Sequence, residues 1–217
     1  AFKAVDIGFD RSMIGAYGHD DRVCAYPALK AICKCKEPEY TCITVLADKE
    51  EIGSVGNTGL ASEYLNYFVA DLAAAEGLEA RHVYTKSTCL SADVTAAYDP
   101  NYASAYEAGN STYLNRGVGL SKYTGSRGKS GSNDANAEFV AQVRKIFDEG
   151  DVLWQIGELG KVDQGGGGTV ALDISRMNAD VIDVGVPVLS MHSPFEVVSK
   201  LDVYMAYKGF KTYFEAK

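Results

Sequence analysis

Carboxylates and one imidazole occur in four short motifs that could together hold a metal ion. They are Asp20 and Asp21 in GHDDR, Asp48, Glu50 and Glu51 in ADKEEIGS, Asp93 in SAD, and His192 in MHSPFE. Each motif alone has an ordinary explanation, since an Asp at a helix start is commonly a cap and a lone His is commonly hydrogen-bonded. Together they indicate a divalent-metal site of the zinc type, whose ligands are carboxylate oxygens and imidazole nitrogens.

The adjacent pair Glu50 and Glu51 is the most informative of these motifs. It follows the apolar segment 40–47 (YTCITVLA) and precedes Ile52 and Gly53. Charges in such surroundings lose hydration, which is unfavourable unless something pairs them. A solvated turn is the ordinary alternative for this pair.

The counts of histidine and cysteine narrow the chemistry. Only three histidines occur, His19, His82 and His192, so a metal site must depend largely on carboxylates. The five cysteines include no C-x-x-C pair for a zinc ribbon or a redox motif. They are interpreted as reduced thiols of a cytoplasmic protein.

Two glycine-rich segments could approach a ligand. Residues 125–130 (GSRGKS) resemble a phosphate-binding loop, but that motif needs a glycine at the position of Tyr123, so a nucleotide-binding protein is excluded on spacing. The run Gly165 to Gly168 before Thr169 has no side chains, so its value must lie in close backbone approach. A flexible turn and a substrate-lining loop remain open alternatives for this run.

The elements that must position these residues alternate between strand and helix. Strands are predicted at 4–9, 40–47, 82–90, 153–156, 181–184 and 188–191, and helices at 21–35, 62–76, 133–148 and 195–214, with Asn133 as the cap of the third helix. This order predicts an α/β fold with a mixed, largely parallel sheet sandwiched by helices. Because ligands bind at the carboxyl edge of such sheets, the four motifs are expected to converge there.

Length and charge exclude several other classes. The 217 residues suffice for one domain, and no apolar run approaches the ~20 residues of a membrane-spanning helix. The formal net charge of −8 argues against nucleic acid or an anionic membrane as the main partner.

Five longer strings carry a resemblance to a known family. GHDDRVCAY, DKEEIGSVGNTG, SADV, GELGKVDQGGGGT and VPVLSMHSPFEVVSKLD resemble, in order, the di-zinc aminopeptidases of metallopeptidase family eighteen, the aspartyl and vacuolar aminopeptidases. The resemblance implies the following metal-site roles: Asp20 bridges two Zn²⁺ ions, Glu51 and His192 bind one of them, Asp93 binds the other, and Glu50 is the general base. It also implies a cis peptide bond between Asp20 and Asp21.

The resemblance extends to substrate and assembly. It implies that Lys122 meets the substrate side chain and that Gly166, Gly167, Gly168 and Thr169 line the substrate pocket. The preferred N-terminal residue of the peptide, acidic or neutral, stays open. Co²⁺ or Mn²⁺ could replace Zn²⁺, because these ligands discriminate poorly among such ions. Members of the family form dodecamers built from dimers, so a homo-oligomer is expected.

One part of the family pattern has no counterpart in this sequence. The family's other histidine ligand lies upstream in a His-x-Asp motif, and His82 has no such partner. We therefore expect residues 1–217 to be a single catalytic domain without its N-terminal portion and without the inserted dimerisation domain. Asp20, Glu51 and His192 then complete one zinc site, whereas the second keeps only Asp20 and Asp93 and binds metal weakly. The alternative is an inactive relative that acts as an assembly or binding module.

Overall fold

The structure is a computed structural model that describes residues 3–127 and 130–217. Ala1, Phe2, Gly128 and Lys129 lie outside the described residues, so part of the glycine-rich segment 125–130 has no structural description. None of the helices in the two described ranges combines the length and apolar character that crossing a membrane requires.

A mixed sheet forms the centre of the fold. Its path runs β1 (Val5–Ile7), β2 (Met13–Ala16), β10 (Glu196–Ser199), β9 (Asp180–Leu189), β5 (Val118–Ser121) and β8 (Trp154–Ile156), and β3 (Thr88–Ser91) and β4 (Val94–Ala96) also pair with β9. The pairs β3–β9, β4–β9 and β5–β8 are parallel, and the others are antiparallel. A separate antiparallel hairpin joins β6 (Tyr123–Ser126) to β7 (Ser130–Asp134).

Helices pack on both faces of this sheet. They are α1 (His19–Lys34), α2 (Tyr64–Ala75), α3 (Ala80–Tyr84), α4 (Ala137–Glu149), α5 (Ala171–Ser175) and α6 (Lys200–Glu215). The larger core joins α1, α4 and α6 to β9 through Ile182, Val184 and Val186. Val181 points to the other face, since side chains alternate along a strand, and there it packs with Leu60 and Ile174 of the smaller core. The predicted α/β fold, with a mixed sheet between helices, is confirmed.

Several predicted elements have different bounds in the structure. The strand predicted at 82–90 is wrong in its first half, where α3 forms although Val83 and Thr85 are β-branched, because the Glu79 carbonyl accepts helical hydrogen bonds from the His82 and Val83 N–H groups. The two strands predicted at 181–184 and 188–191 are one strand, β9, which continues through Gly185. The helix predicted at 195–214 begins only at Lys200, after β10.

The predicted cap of α4 is also corrected. Asn133 is buried within β7, and the helix is instead capped by Asn136, whose Oδ1 accepts a hydrogen bond from the Phe139 N–H at 2.7 Å. Both asparagines precede the apolar face of the helix, so composition alone did not separate them.

The segment predicted as a strand at 40–47 has no regular secondary structure and pairs with no strand in the part of the chain that the structure describes. Ile43, Val45 and Leu46 are exposed there, and Ala47 packs against the smaller core. A β-rich pattern predicts an extended chain, whereas a strand also needs a neighbour to supply its ladder of hydrogen bonds.

Candidate metal centre

Asp20 lies where β2 leads into α1. Its φ and ψ of −75° and 111° depart from helical values, and the Asp20–Asp21 peptide bond is cis, as the resemblance implied. The Asp20 N–H donates a hydrogen bond to Glu196 Oε2 at 3.1 Å. Only 9% of the Asp20 side chain is exposed.

His192 approaches the same point from the turn between β9 and β10. Its φ of +66° lies in the left-handed region, and its N–H donates to Glu196 Oε1 at 2.9 Å. The His192 Nε2 atom lies 3.0 Å from Asp20 Oδ2 and 3.1 Å from Glu51 Oε1. The imidazole therefore meets two carboxylates that are far apart in sequence.

Glu50 and Glu51 begin a short turn of 3₁₀ helix, Glu50–Ile52, enclosed by residues in left-handed conformation at Lys49 and Gly53. The turn is held by the Ser54 N–H, which donates to the Lys49 carbonyl at 2.8 Å. Because successive side chains diverge, Glu51 joins Asp20 and His192 while Glu50 is free for another role.

Asp20, Glu51 and His192 form a three-residue group that fits a zinc ion. Each offers one oxygen or nitrogen, and these atoms all lie within 4.8 Å of one another. Zinc takes carboxylate oxygen and imidazole nitrogen at ~2.0–2.2 Å, so one ion could contact all three after small side-chain movements. The structure thus brings together the three residues that the family resemblance implied for one zinc site.

Asp93 lies between β3 and β4, and its Oδ1 accepts the Val94 N–H at 2.6 Å. Burial first, and then the charge of Glu50, raise the pKa of Asp93 to about 7. Burial and the charges of Asp93 and Glu51 likewise raise the pKa of Asp20 to about 7. Asp93 is therefore close enough to repel the other carboxylates, although it stands outside the three-residue group.

Glu50 has the electrostatic setting of a proton-transfer group. Burial raises its pKa to about 7, with further contributions from the charges of Glu51, Asp20, Asp21 and Asp183. Like charges held together without a cation favour protonated carboxyls, and a bound cation would reverse that preference. The centre is thus built to receive positive charge.

Two buried carboxylates behind the centre were missed by the sequence analysis. Asp183 on β9 accepts hydrogen bonds from Ser91 Oγ at 2.8 Å and Thr124 Oγ1 at 3.4 Å, and also from Thr169. Glu196, at the start of β10, is 2% exposed. The signal that could have found both is a lone acidic residue inside an apolar strand, in VIDVGVPV and in FEVV.

The glycine run packs closely on the β6–β7 hairpin. Gly166 has a φ of +94°, and a Cβ placed on it would lie 2.2 Å from the Gly125 carbonyl oxygen. The Arg127 N–H donates to the Gly165 carbonyl at 2.8 Å. The predicted close backbone approach is therefore confirmed for Gly166, and its neighbour is the chain's own hairpin.

The remaining predicted residues lie around the centre or apart from it. Lys122, between β5 and β6, is exposed and forms an ion pair with Asp134. Thr169 follows the glycine run and its hydroxyl also accepts the Ala171 N–H at 3.3 Å. His82 lies on α3, is exposed, and is not one of the three residues of this group.

A mixed sheet between helices, with two carboxylates and a histidine gathered beside it, defines an α/β protein with a candidate zinc centre. The chain belongs to the aminopeptidase I zinc metalloprotease (M18) family, whose model matches residues 1–214. The resemblance seen in the motifs is thereby confirmed, and a zinc centre agrees with the family's description.

Relatives and solved structures agree with this assignment. The probable M18 family aminopeptidase 1 of Clostridium acetobutylicum is 49% identical in an alignment that covers 98% of this chain and 47% of the relative. The crystal structure of aminopeptidase I from that organism has a TM-score of 0.93 over 99% of this chain and 47% of its own. An M18 aminopeptidase from Thermotoga maritima gives 0.94 at 44% identity, over 99% of this chain and 48% of its own.

A more distant structure, of the Saccharomyces cerevisiae mApe1 dodecamer, has a TM-score of 0.81 at 25% identity, over 98% of this chain and 48% of its own. The chain spans about half the length of the curated relatives it matches.

Proposed function

We propose that the protein is a zinc-dependent aminopeptidase that removes the N-terminal residue of peptides. The observation that carries the proposal is the meeting of His192 Nε2 with Asp20 and Glu51, at 3.0 and 3.1 Å, beside the half-buried Glu50. Family membership supplies the reaction class, because the family is described as one of zinc metalloproteases.

Two zinc ions would share the centre. Asp20, Glu51 and His192 would hold the first, and Asp20 together with Asp93 would contribute to the second. With only two of its ligands in this chain, the second ion is expected to bind more weakly than the first. Co²⁺ or Mn²⁺ could occupy the same positions, since oxygen and imidazole ligands accept each of these ions.

Glu50 would act as the general base. When bound, zinc supplies Lewis-acid polarisation of the scissile carbonyl and a water of lowered pKa. The Glu50 carboxylate takes a proton from the water as its oxygen attacks the carbonyl carbon, and delivers that proton to the nitrogen as the carbon–nitrogen bond breaks. Gly166, Gly167, Gly168 and Thr169 would line the pocket, and Lys122 would approach the side chain of the substrate's first residue.

The direct test compares wild type with Glu50→Gln in the full-length protein on aminoacyl chromogenic substrates. We expect a rate loss of about 10²–10⁴-fold with zinc content unchanged, because Glu50 transfers a proton and binds no metal. The matched control is Glu149→Gln, which replaces an exposed carboxylate that pairs with Lys145 at 3.8 Å. Equal rates for wild type and Glu50→Gln would refute the mechanism.

The competing hypothesis is an inactive relative that serves as an assembly or binding module. It predicts that wild type binds zinc yet hydrolyses none of the aminoacyl substrates. Glu50 argues against it, because a carboxylate with a raised pKa and no ligand role costs stability without a catalytic use.

We also propose a homo-oligomer of the dodecameric type, supported by the mApe1 dodecamer among the similar structures. Sedimentation velocity on the full-length protein tests this assembly, and a monomer at micromolar concentration would contradict it.

A further inference from the structure

Glu196 joins the two loops that present the metal ligands. It is the first residue of β10 and lies opposite Ala16 of the neighbouring strand β2. From this position its Oε2 accepts the Asp20 N–H at 3.1 Å and its Oε1 accepts the His192 N–H at 2.9 Å. One carboxylate therefore fixes the backbone of two ligand residues that come from opposite ends of the chain.

Burying the Glu196 carboxylate costs free energy of desolvation, which other interactions must offset. Glu196 is 2% exposed, and in the part of the chain that the structure describes it forms no ion pair with a lysine or arginine. A buried carboxylate without a cation needs strong hydrogen bonds, and backbone N–H donors supply them here. An apolar residue would fill the same space at lower cost but would leave both N–H groups unpaired.

One of the two bonds acts where the backbone is least favourable. His192 has a φ of +66°, a conformation that non-glycine residues rarely adopt, whereas Asp20, at φ −75° and ψ 111°, lies in an ordinary extended region. The conformation of His192 persists only where neighbouring groups hold it. Glu196 contacts the N–H of each of these two residues, so it acts on their position directly.

We propose that Glu196 is a positioning residue of the metal centre, whose carboxylate holds Asp20 and His192 so that their side chains converge on one ion. Its buried negative charge adds to the attraction for that ion. The inference rests on the proposed function in that the centre binds metal. Residues that hold metal ligands in place typically contribute about 10–100-fold to metal affinity.

The test measures the dissociation constant of Zn²⁺ in the metal-stripped full-length protein by competition with a chelating fluorophore. Glu196→Gln keeps the shape but removes the charge and replaces one acceptor with a donor, so affinity is expected to fall roughly 10–100-fold. Unchanged affinity in folded Glu196→Gln would overturn the inference.

Asp202→Asn is the matched control. Asp202 is 0% exposed and accepts hydrogen bonds from the backbone N–H groups of Asn115 and Gly117, each at 2.7 Å, and also from that of Arg116. It lies on α6 outside the ligand loops, so its substitution makes the same chemical change without touching them, and zinc affinity should stay at the wild-type value. An equal loss in Asp202→Asn would show general loosening of the fold and overturn the inference.

A second variant covers the case in which Glu196→Gln does not fold. Glu196→Asp keeps the charge but is one methylene too short to reach both N–H groups, so it too should bind zinc more weakly; wild-type affinity would overturn the inference.

The readout also separates this inference from the proposed function. A wild type that binds zinc but cleaves no peptide refutes the function alone, whereas an active enzyme whose Glu196 variants bind zinc normally refutes only the positioning role.

Discussion

Zinc uptake is expected to release protons at pH 6 and almost none at pH 8. The pKa values of Asp20, Glu50 and Asp93 are raised to about 7 in the metal-free centre. A carboxyl with a pKa of about 7 is roughly nine-tenths protonated at pH 6 and about one-tenth protonated at pH 8. A bound cation favours the ionised form of all three, so their protons leave as zinc enters.

The size of the effect follows from the number of coupled groups. Between about one and three protons should leave per zinc at pH 6, and Glu50→Gln should reduce that number by about one or more, because it removes one titrating carboxyl and also a charge that raises the pKa of Asp93. At pH 8 the two proteins should differ by only ~0.1 proton.

Isothermal titration calorimetry measures the proton number when each titration is repeated in two buffers of different ionisation enthalpy. Glu149→Gln is the control and should match wild type at both pH values. Equal proton release by wild type and Glu50→Gln at pH 6 would show that Glu50 loses no proton when zinc binds and would refute the electrostatic reasoning.

Two further substitutions, Asp183→Asn and Gly166→Ala, test the packing and the electrostatics around the metal centre. Burial raises the pKa of Asp183 to about 6, so between pH 4 and 6 the folded protein holds a proton that the unfolded chain has lost. Wild type should therefore lose ~3 kcal/mol of stability as the pH rises from 4 to 6, whereas Asp183→Asn should not. Parallel pH profiles of the two metal-free proteins in scanning calorimetry would contradict this. Gly166→Ala should destabilise the protein by about 1–3 kcal/mol, because its Cβ would lie 2.2 Å from the Gly125 carbonyl. The control Gly167→Ala meets only Leu159 Cδ2 at 3.3 Å, and equal thermal stability of the two variants would refute the packing argument.

The metal-ligand motifs could be predicted from the sequence because each pairs a distinctive residue type with an apolar neighbour. Glu50 and Glu51 stand out directly after YTCITVLA, and His192 stands out after VPVLSM. The convergence of Asp20 and His192 then follows from the α/β order, since β2 and β9 are both antiparallel to β10 and end at the same edge of the sheet. Glu51 reaches that edge from a segment that pairs with no strand in the described ranges, which the order of elements did not predict.

The parts that the sequence did not predict depend on contacts between distant segments. Glu196 and Asp183 look like isolated acids in apolar strands until their partners are known, and those partners lie up to 176 residues away along the chain. The segment 40–47 has a strand pattern, yet pairing depends on a neighbour that no local pattern reveals.

Long amphipathic segments were the easiest to place. The helices α2 and α4 are at 64–75 and 137–149, within a few residues of their predicted spans, because a sustained apolar face specifies a helix locally. Short elements such as α3 and β10 were missed, because four or five residues carry too little periodicity to outweigh their surroundings.

The central claim is that Asp20, Glu51 and His192 bind zinc at one point. Anomalous diffraction at the zinc absorption edge, from crystals of the full-length protein, locates the ion directly. We predict a peak at about 2.0–2.2 Å from one oxygen of Asp20, one oxygen of Glu51 and one nitrogen of His192. Zinc peaks elsewhere, with none within reach of these three residues, would contradict the account.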